Sequence, residues 1–187
     1  MTISYSDLRR GTVIELDGEP WEVVDWKHTK MQQRAPVLTL KLHSLRTGKA
    51  MERNVPGNQK LTLAAVDTQE AQYLYNDGDH YYFMDLRTFD QHTLTSDRMG
   101  DALHYLKEQA HVHVVFYNGE PIALQLPTYV DLQVVDTPPS ARGNTAQGSN
   151  KPATLETGLI VQVPFFVNAG ETIRVDTRTG TYLERVT

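Results

Sequence analysis

The sequence predicts an all-β protein, and three features support that prediction. Short stretches alternate apolar and polar residues, as in LTLKL at residues 38–42. Turn-forming pairs such as Asp-Gly and Asn-Gly separate these stretches, and only one segment has helical spacing. Strand side chains point alternately to opposite faces, so each stretch buries one face. The 187 residues are enough for two or three compact domains.

Residues 1–63 contain two predicted hairpins. TVIELDGEPWEVVDW, residues 12–26, turns at Asp17-Gly18, a pair that tolerates positive φ. PVLTLKLHSLRTGKAMERNV, residues 36–55, turns at Thr47-Gly48. A few strongly bent strands of this size predict a small SH3-like barrel. The core candidates of its first hairpin are Val13, Leu16, Trp21, Val23 and Val24.

Residues 64–127 combine strands with one predicted helix. Hairpins are expected at residues 71–86, around Asp77-Gly78, and at residues 111–126, around Asn118-Gly119. Between them SDRMGDALHYLKEQ, residues 96–109, spaces Met99, Leu103 and Leu106 as a helix does, with Thr95 or Ser96 as cap and Asp97 in its first turn. This order predicts a small five-stranded oligonucleotide-binding (OB) type barrel.

Residues 128–187 form a third predicted unit. A strand at residues 129–137 is followed by PPSARGNTAQGSNKP, a long loop rich in Pro, Gly, Ser and Asn. TGLIVQVPFFV and ETIRVDTRTGTYLERV supply further strands, and Thr179-Gly180 closes the last hairpin. No internal repeat is clear enough in the sequence to be assigned.

The composition excludes several classes of protein. The chain has no cysteine, so disulfides and thiolate chemistry are impossible. The start, MTISYSDLRRG, lacks the apolar core of a signal peptide, and the most apolar run is half the length of a membrane span. A cytoplasmic protein without a membrane partner is therefore expected.

Net charge is −5, but the charge is unevenly distributed. Residues 1–63 carry 10 Lys/Arg against 7 Asp/Glu, residues 64–127 carry 3 against 10, and residues 128–187 carry 5 against 6. A cationic first third beside an anionic middle third would orient the molecule in a field of phosphates. The alternative is an ordinary solvated face.

The sequence offers no catalytic constellation. His111 and His113 share one face of a predicted strand, but two ligands do not make a metal site. Nucleophile-elbow, phosphate-loop, dinucleotide and zinc-protease motifs are all absent from the sequence. We therefore expect no enzyme activity, no cofactor and no metal.

Two predicted loops are longer or more polar than their turns require. One is the hairpin tip, residues 30–34, which contains Lys30, Gln33 and Arg34. The other, residues 140–148, contains Arg142, Gly143, Asn144 and Thr145. A cation, a flexible glycine and two small hydrogen-bonding side chains suit contact with RNA. The second loop can also be read as a plain connector.

The chain resembles bacterial elongation factor P from end to end. The strongest match is KPATLETGLIVQVPFFVNAGETIRVDTRTGTYLERV, residues 151–186, and the loop before it also matches. QYLYNDGDHYYFMD and LRRGTVIELDGEPWEVVD resemble the openings of that family's second and first domains. The resemblance implies three β-barrel domains, one SH3-like and two OB-like, in an L shape of tRNA dimensions. The boundaries drawn from turns and charge are 1–63, 64–127 and 128–187.

The resemblance also implies a function. Members of that family bind the 70S ribosome between the peptidyl-tRNA (P) and exit (E) sites and stimulate peptide-bond formation at consecutive prolines. Their partners are ribosomal RNA and the P-site peptidyl-tRNA, and the ribosomal RNA performs the chemistry. A monomer is expected from this mode of binding.

The hairpin tip departs from the family pattern, which reads approximately K-P-G-K-G. An ungapped match places Lys30 on the first Lys and Gln33 on the Lys that reaches toward the peptidyl-transferase centre. Gln33 has no charge and no amine to modify, although it offers two donors and one acceptor. A shift of one residue would place Arg34 at the apex instead. A further alternative is that the tip contributes little to the function.

The third domain departs less from the family. Gly143-Asn144-Thr145 stands where the family has a Gly-Asp-Thr stretch implicated in reading the exit-site codon region, and Tyr182 and Arg185 match family positions that suit RNA contact. The altered tip allows two other interpretations: a paralogue with different stall specificity, or an RNA-binding module that does not act at the peptidyl-transferase centre.

Overall fold

The structure is a computed structural model and describes residues 1–31, 34–139 and 150–186. The chain forms two compact units. One comprises Met1–Gln69 and Val114–Ala123, and the other comprises Glu70–His113 and Leu124–Thr187. Strands dominate the described part of the chain, which confirms the all-β prediction. The predicted boundaries at 63/64 and 127/128 stay a prediction.

The first sheet has the strand order β1-β6-β2-β3-β4-β5, and all of its neighbouring strands are antiparallel. Its strands are β1 (Thr2–Ile3), β2 (Val13–Leu16), β3 (Glu19–Met31), β4 (Arg34–Ser44), β5 (Ala50–Pro56) and β6 (Leu61–Leu63). Asp17 and Gly18 have φ of +54° and +78°, so the predicted turn between β2 and β3 is confirmed.

The core of this sheet follows the alternation of the sequence. Leu38, Leu40 and Leu42 on β4 are all at most 1% exposed and pack with Val23. Val24, which the sequence places in the core, is 49% exposed, so that prediction is wrong. The register of β3 against β4 shifts between Val23 and Asp25, and such a bulge turns the extra side chain out of the alternation.

The second sheet has the strand order β11-β10-β7-β8-β9. Its strands are β7 (Val66–Asn76), β8 (His80–Asp85), β9 (Gln91–Thr95), β10 (His111–Tyr117) and β11 (Glu120–Gln125). Asn118 and Gly119, between β10 and β11, have φ of +51° and +80°. The predicted Asn-Gly turn is therefore confirmed.

The predicted helix over residues 96–109 is wrong in extent. Helix α1 spans only Ser96–Met99, and Gly100, with φ of +52°, begins a 3-10 turn, Gly100–His104. Met99 and Leu106 are nonetheless buried, as the spacing indicates. Glycine is a poor helix former and readily adopts positive φ, so the chain turns at Gly100 while keeping its apolar residues inside.

The third sheet has the strand order β14-β13-β12-β15-β16. Its strands are β12 (Tyr129–Asp136), β13 (Asn150–Leu155), β14 (Ile160–Pro164), β15 (Thr172–Asp176) and β16 (Thr181–Val186). Its core contains fully buried Leu132, Val134, Ala153, Val163 and Ile173. None of the helices in residues 1–31, 34–139 and 150–186 is long and apolar enough to span a membrane.

Candidate functional site

The longest hairpin of the first sheet carries the predicted tip. Strands β3 and β4 pair from Trp21 opposite Ser44 to Met31 opposite Arg34. The next strand, β5, accompanies β4 only as far as Pro56, which lies opposite Val37. Beyond that point β3 and β4 are paired with each other alone. We call this part, residues 30–31 and 34–36, the arm.

The arm begins at a bulge in the ladder. Thr29 lies opposite Val37 and Met31 lies opposite Arg34, so the single residue Lys30 faces both Ala35 and Pro36. A bulge with two residues against one bends the strand and increases its twist. Pro36 has no backbone N–H to contribute to the ladder. The arm therefore bends away from the regular ladder at this bulge.

Lysines without carboxylate partners lie along the hairpin. Lys27 and Lys30 on β3 and Lys41 on β4 are exposed, and within the described residues none forms an ion pair. Arg10 and Arg53 of the same unit are instead paired, with Asp25 and Asp17. The unpaired ammonium groups leave the hairpin cationic and able to bind phosphate oxygens.

The predicted tip residues are only partly placed by the structure. Lys30 is exposed near the end of β3, and Arg34 is the first residue of β4. Gln33 lies outside the described residues. Whether Gln33 or Arg34 occupies the apex therefore stays a prediction.

In the last third, the predicted contact residues fall into two groups. Arg142, Gly143, Asn144 and Thr145 lie outside the described residues. Tyr182 and Arg185 both lie on β16, where the Tyr182 ring packs against the core of the third sheet.

The Arg185 guanidinium already has partners within the chain. Its Nη1 donates a hydrogen bond to Glu171 Oε1 at 3.1 Å, and its central carbon lies 5.9 Å from the centre of the Phe166 ring. The rings of Phe165 and Phe166 meet edge to face at 5.9 Å and are 57% and 45% exposed. Arg185 thus joins an aromatic and a carboxylate at the surface.

His111 and His113 lie exposed on one face of β10, as the sequence indicates. Glu70 lies beside His111, with its Oε1 3.9 Å from His111 Nδ1. Within the residues that the structure describes, no three His, Asp or Glu side chains are grouped as metal ligands.

One cluster at the start of the arm has no signal in the sequence. Tyr5, His28 and Gly57 come from three separate segments and meet beside the bulge. Neither periodicity nor spacing connects residues so far apart along the chain. Only the folded first sheet, together with the 3-10 turn Tyr5–Asp7 that follows β1, brings them together.

Known families and proteins match nearly the whole chain. The elongation factor P KOW-like domain matches residues 4–61, the elongation factor P OB domain matches residues 66–124, and the elongation factor P C-terminal domain matches residues 130–185. Elongation factor P of Carboxydothermus hydrogenoformans is 48% identical over 98% of this chain and all of its own length. That of Thermodesulfovibrio yellowstonii is 44% identical over 98% of each.

Solved structures share the fold at lower identity. The structure described as eukaryotic translation initiation factor 5A from Methanococcus jannaschii is 20% identical, with a TM-score of 0.55 over 68% of this chain and 92% of that one. At that identity the likeness concerns the fold alone.

Small KOW-like and OB barrels in this order, with relatives that are elongation factors, define a translation elongation factor. The chain belongs to the elongation factor P family. The resemblance stated from the sequence and the prediction of SH3-like and OB-like barrels are both confirmed.

Proposed function

We propose that this protein binds the 70S ribosome in the cytoplasm, between the P and E sites, and stimulates peptide-bond formation at consecutive prolines. Membership of the elongation factor P family supports a role in elongation. The observation that carries the proposal further is the arm. It extends past β5 beside the exposed, unpaired lysines Lys27 and Lys30.

The physical basis of the proposed activity is orientation. Proline is a rigid nucleophile, and a nascent chain of prolines holds the peptidyl-tRNA in an unproductive geometry. A protein that binds along the tRNA and holds its CCA end lowers the entropic part of the barrier, and such positioning contributes several kcal/mol. In this proposal ribosomal RNA carries out the reaction, and the factor acts as a monomer without being an enzyme itself.

Within this proposal the residues have distinct roles. Lys30 contacts RNA phosphate near the peptidyl-transferase centre, and Gln33 or Arg34 reaches closest to the reacting ends. A glutamine at the apex would hydrogen-bond through its amide, whereas an arginine would add charge-assisted bonds. Arg142, Gly143, Asn144 and Thr145 contact RNA near the exit-site codon, with Tyr182 and Arg185 as further contacts.

The test is synthesis of a peptide with three consecutive prolines on purified ribosomes. The protein is produced without any modifying enzyme, and wild type is compared with Lys30→Ala, Gln33→Ala and Arg34→Ala. Lys49→Ala, an exposed lysine in the turn before β5, is the matched control. We expect wild type and the control to restore full-length product. Loss of product in either the Gln33 or the Arg34 variant identifies the apex.

A second candidate is a paralogue with different stall specificity, and the replacement of the family's tip pattern favours it. If wild type binds ribosomes but leaves the three-proline stall unrelieved, a panel of other stall sequences separates the two. Relief of a different sequence supports the paralogue. Ribosome binding without relief of any stall supports an RNA-binding module instead.

A further inference from the structure

The arm needs support that its own ladder does not supply. A two-stranded ribbon is only marginally stable in water, and here the ladder is interrupted at Lys30 and Pro36. Val37 opposite Pro56 is the last pairing with a third strand. Contacts at that level therefore decide where the arm points.

An aromatic stack lies at this level. Tyr5, in the 3-10 turn Tyr5–Asp7, places its ring parallel to the His28 imidazole, with ring centres 4.0 Å apart and an interplanar angle of 8°. His28 is two residues before Lys30 on β3 and lies opposite Leu38. The stack therefore fastens β3 to the N-terminal segment just before the bulge.

Gly57 fastens the other strand at the same level. Its N–H donates a hydrogen bond to the Pro36 carbonyl at 2.8 Å. A Cβ at position 57 would lie 2.7 Å from His28 Nε2, 2.8 Å from Pro36 Cβ and 2.9 Å from the Pro36 carbonyl carbon. Because such distances are too short for real contacts, only glycine lets the chain after β5 close against both strands.

His28 is an unusual choice for this position. Its Nε2 is buried, and no hydrogen-bond partner for it is found among the described residues. A buried polar atom without a partner costs free energy that a carbon in the same place would not. The flat ring, rather than the polarity of the imidazole, is therefore what the contact with Tyr5 and Gly57 uses.

We propose that Tyr5, His28 and Gly57 form a clamp that sets the direction of the arm, and that they are positioning residues for the activity proposed above. Met31 is three residues beyond His28, about 10 Å along an extended strand, so a rotation of about 10° at the clamp moves it by about 2 Å. Displacements of this size at a reacting centre reduce rates strongly. The clamp would control the reaction without touching RNA.

The first test is a kinetic comparison that rests on the proposed function. His28→Ala, His28→Phe and Gly57→Ala are compared with wild type in single-turnover synthesis through three prolines, over a range of factor concentrations. We expect Gly57→Ala and His28→Ala to lower the maximal rate by about tenfold or more. The half-saturating concentration should stay within about twofold, because the RNA-binding lysines are unchanged. His28→Phe should retain most of the rate, since it keeps the flat ring.

His43→Ala is the matched control, because His43 is a partly buried histidine at the other end of β4. It should behave as wild type. Circular dichroism melting accompanies every variant. A raised half-saturating concentration with an unchanged maximal rate overturns the clamp, and so do wild-type kinetics in Gly57→Ala and His28→Ala. Where His28→Ala fails to fold, Gly57→Ala and His28→Phe decide the question.

The second test does not depend on activity. Because the chain has no cysteine, Lys30→Cys with Lys49→Cys accepts a single pair of spin labels. We expect Gly57→Ala to shift or broaden the distance distribution between the labels, and His28→Phe and His43→Ala to leave it unchanged. If Gly57→Ala leaves it unchanged, the clamp is wrong. If the distance shifts but wild type never accelerates synthesis, the clamp stands and the proposed function fails.

Discussion

Two hairpin turns share one five-residue hydrogen-bonding pattern, which we call the frame, and they differ in their second residue, Leu86 against Thr177, and in their fifth, Phe89 against Gly180. The Asp85 turn, residues 85–89, joins β8 to β9, and the Asp176 turn, residues 176–180, joins β15 to β16. Each begins with a buried aspartate whose carboxylate accepts backbone N–H bonds from within the turn. The aspartate carbonyl accepts the N–H of the fifth residue, at 2.9 Å from Phe89 and 2.8 Å from Gly180.

The fifth residue has the same backbone conformation in both turns. Gly180 has φ of +67° and Phe89 has φ of +64°, a region that bulky side chains rarely adopt. Phe89 is 71% exposed, so its ring gains little packing in return. Since Phe89 adopts this conformation without the freedom of glycine, we expect the buried aspartate and its hydrogen bonds to stabilise the turn. The glycine only makes the conformation easier to reach.

A third copy of the frame lies in the first sheet, at residues 44–48. There Ser44 is buried, its Oγ accepts the Thr47 N–H at 3.1 Å, and its carbonyl accepts the Gly48 N–H at 2.9 Å. Gly48 has φ of +70°. The structure thus reveals a repeated turn, which the sequence pattern alone does not make clear enough to assign.

The largest expected effect is removal of the buried acceptor. Asp176→Ala and Asp85→Ala each leave backbone N–H groups of the turn without a partner, and we expect the Tm to fall by roughly 5 to 10 °C. The Asp176 change should be the larger, because its carboxylate also binds both Nε and Nη2 of Arg178. Thermal melts by circular dichroism measure both. Unchanged melting in both variants would show that the frame does not depend on its aspartate.

The next effect comes from exchanging the fifth residues. Gly180→Phe should lower the free energy of unfolding by about 1–3 kcal/mol, because a side chain there is strained. A Cβ at that position would also lie 3.1 Å from the Tyr105 hydroxyl oxygen. Phe89→Gly should raise it by about 0.5–1 kcal/mol by relieving the positive φ. Urea unfolding measures both changes. If both substitutions changed the free energy of unfolding in the same direction, the two turns would not share one backbone requirement at the fifth residue.

Acid should affect the Asp176 turn through one carboxyl group. Hydrogen bonds from the Arg178 side chain and then its backbone N–H lower the pKa of Asp176 to about 2. A lowered pKa stabilises the fold above the unfolded-chain pKa of about 3.9, and that contribution is lost as pH falls toward the folded value. The stability difference between wild type and Asp176→Asn should therefore shrink between pH 5 and pH 2 (roughly the window of these two values). Urea midpoints at several pH values measure it, and a constant difference would refute it.

The smallest effect concerns the arginine of each frame. Arg178 is largely exposed, so Arg178→Gln should lower the Tm by only about 1–2 °C. It should nevertheless raise the pKa of Asp176, which carbon-detected NMR titration follows directly. Arg87→Gln is the matched variant. Because backbone N–H bonds of Thr88 and Arg87 are the main causes that lower the pKa of Asp85, this change should shift it less. Equal pKa shifts of Asp176 and Asp85 would show that the two arginines contribute equally, contrary to this prediction.

Local chemistry explains which turns could be predicted. Asp17-Gly18 and Asn118-Gly119 have positive φ at both positions, and these residue pairs tolerate it wherever they occur. The turn at Phe89 has no such residue pair, because its conformation is held by hydrogen bonds to the carbonyl and the carboxylate of Asp85. The helix predicted over residues 96–109 failed for a related reason. Two of its three apolar positions, Met99 and Leu106, are buried, but Leu103 is only partly buried and Gly100 ends α1 after one turn.

The candidate site likewise has some features that the sequence predicts and others that only the structure shows. Lys30, Gln33 and Arg34 stood out in the sequence as a cationic tip, and the structure adds that the arm leaves the sheet at Lys30. The stack of Tyr5 on His28 and the close approach of Gly57 could not be predicted from the sequence. They depend on distant segments, which only the register of the sheet brings into contact.

The sequence by itself determined the all-β class, the Asp-Gly and Asn-Gly turns and membership of the elongation factor P family, since strand alternation and turn chemistry act between near neighbours. The tertiary structure alone decided the positive φ at Phe89, the exposure of Val24 and the contacts at the base of the arm. These features depend on hydrogen bonds and packing that form only when the strands have paired. Local sequence patterns therefore do not predict them.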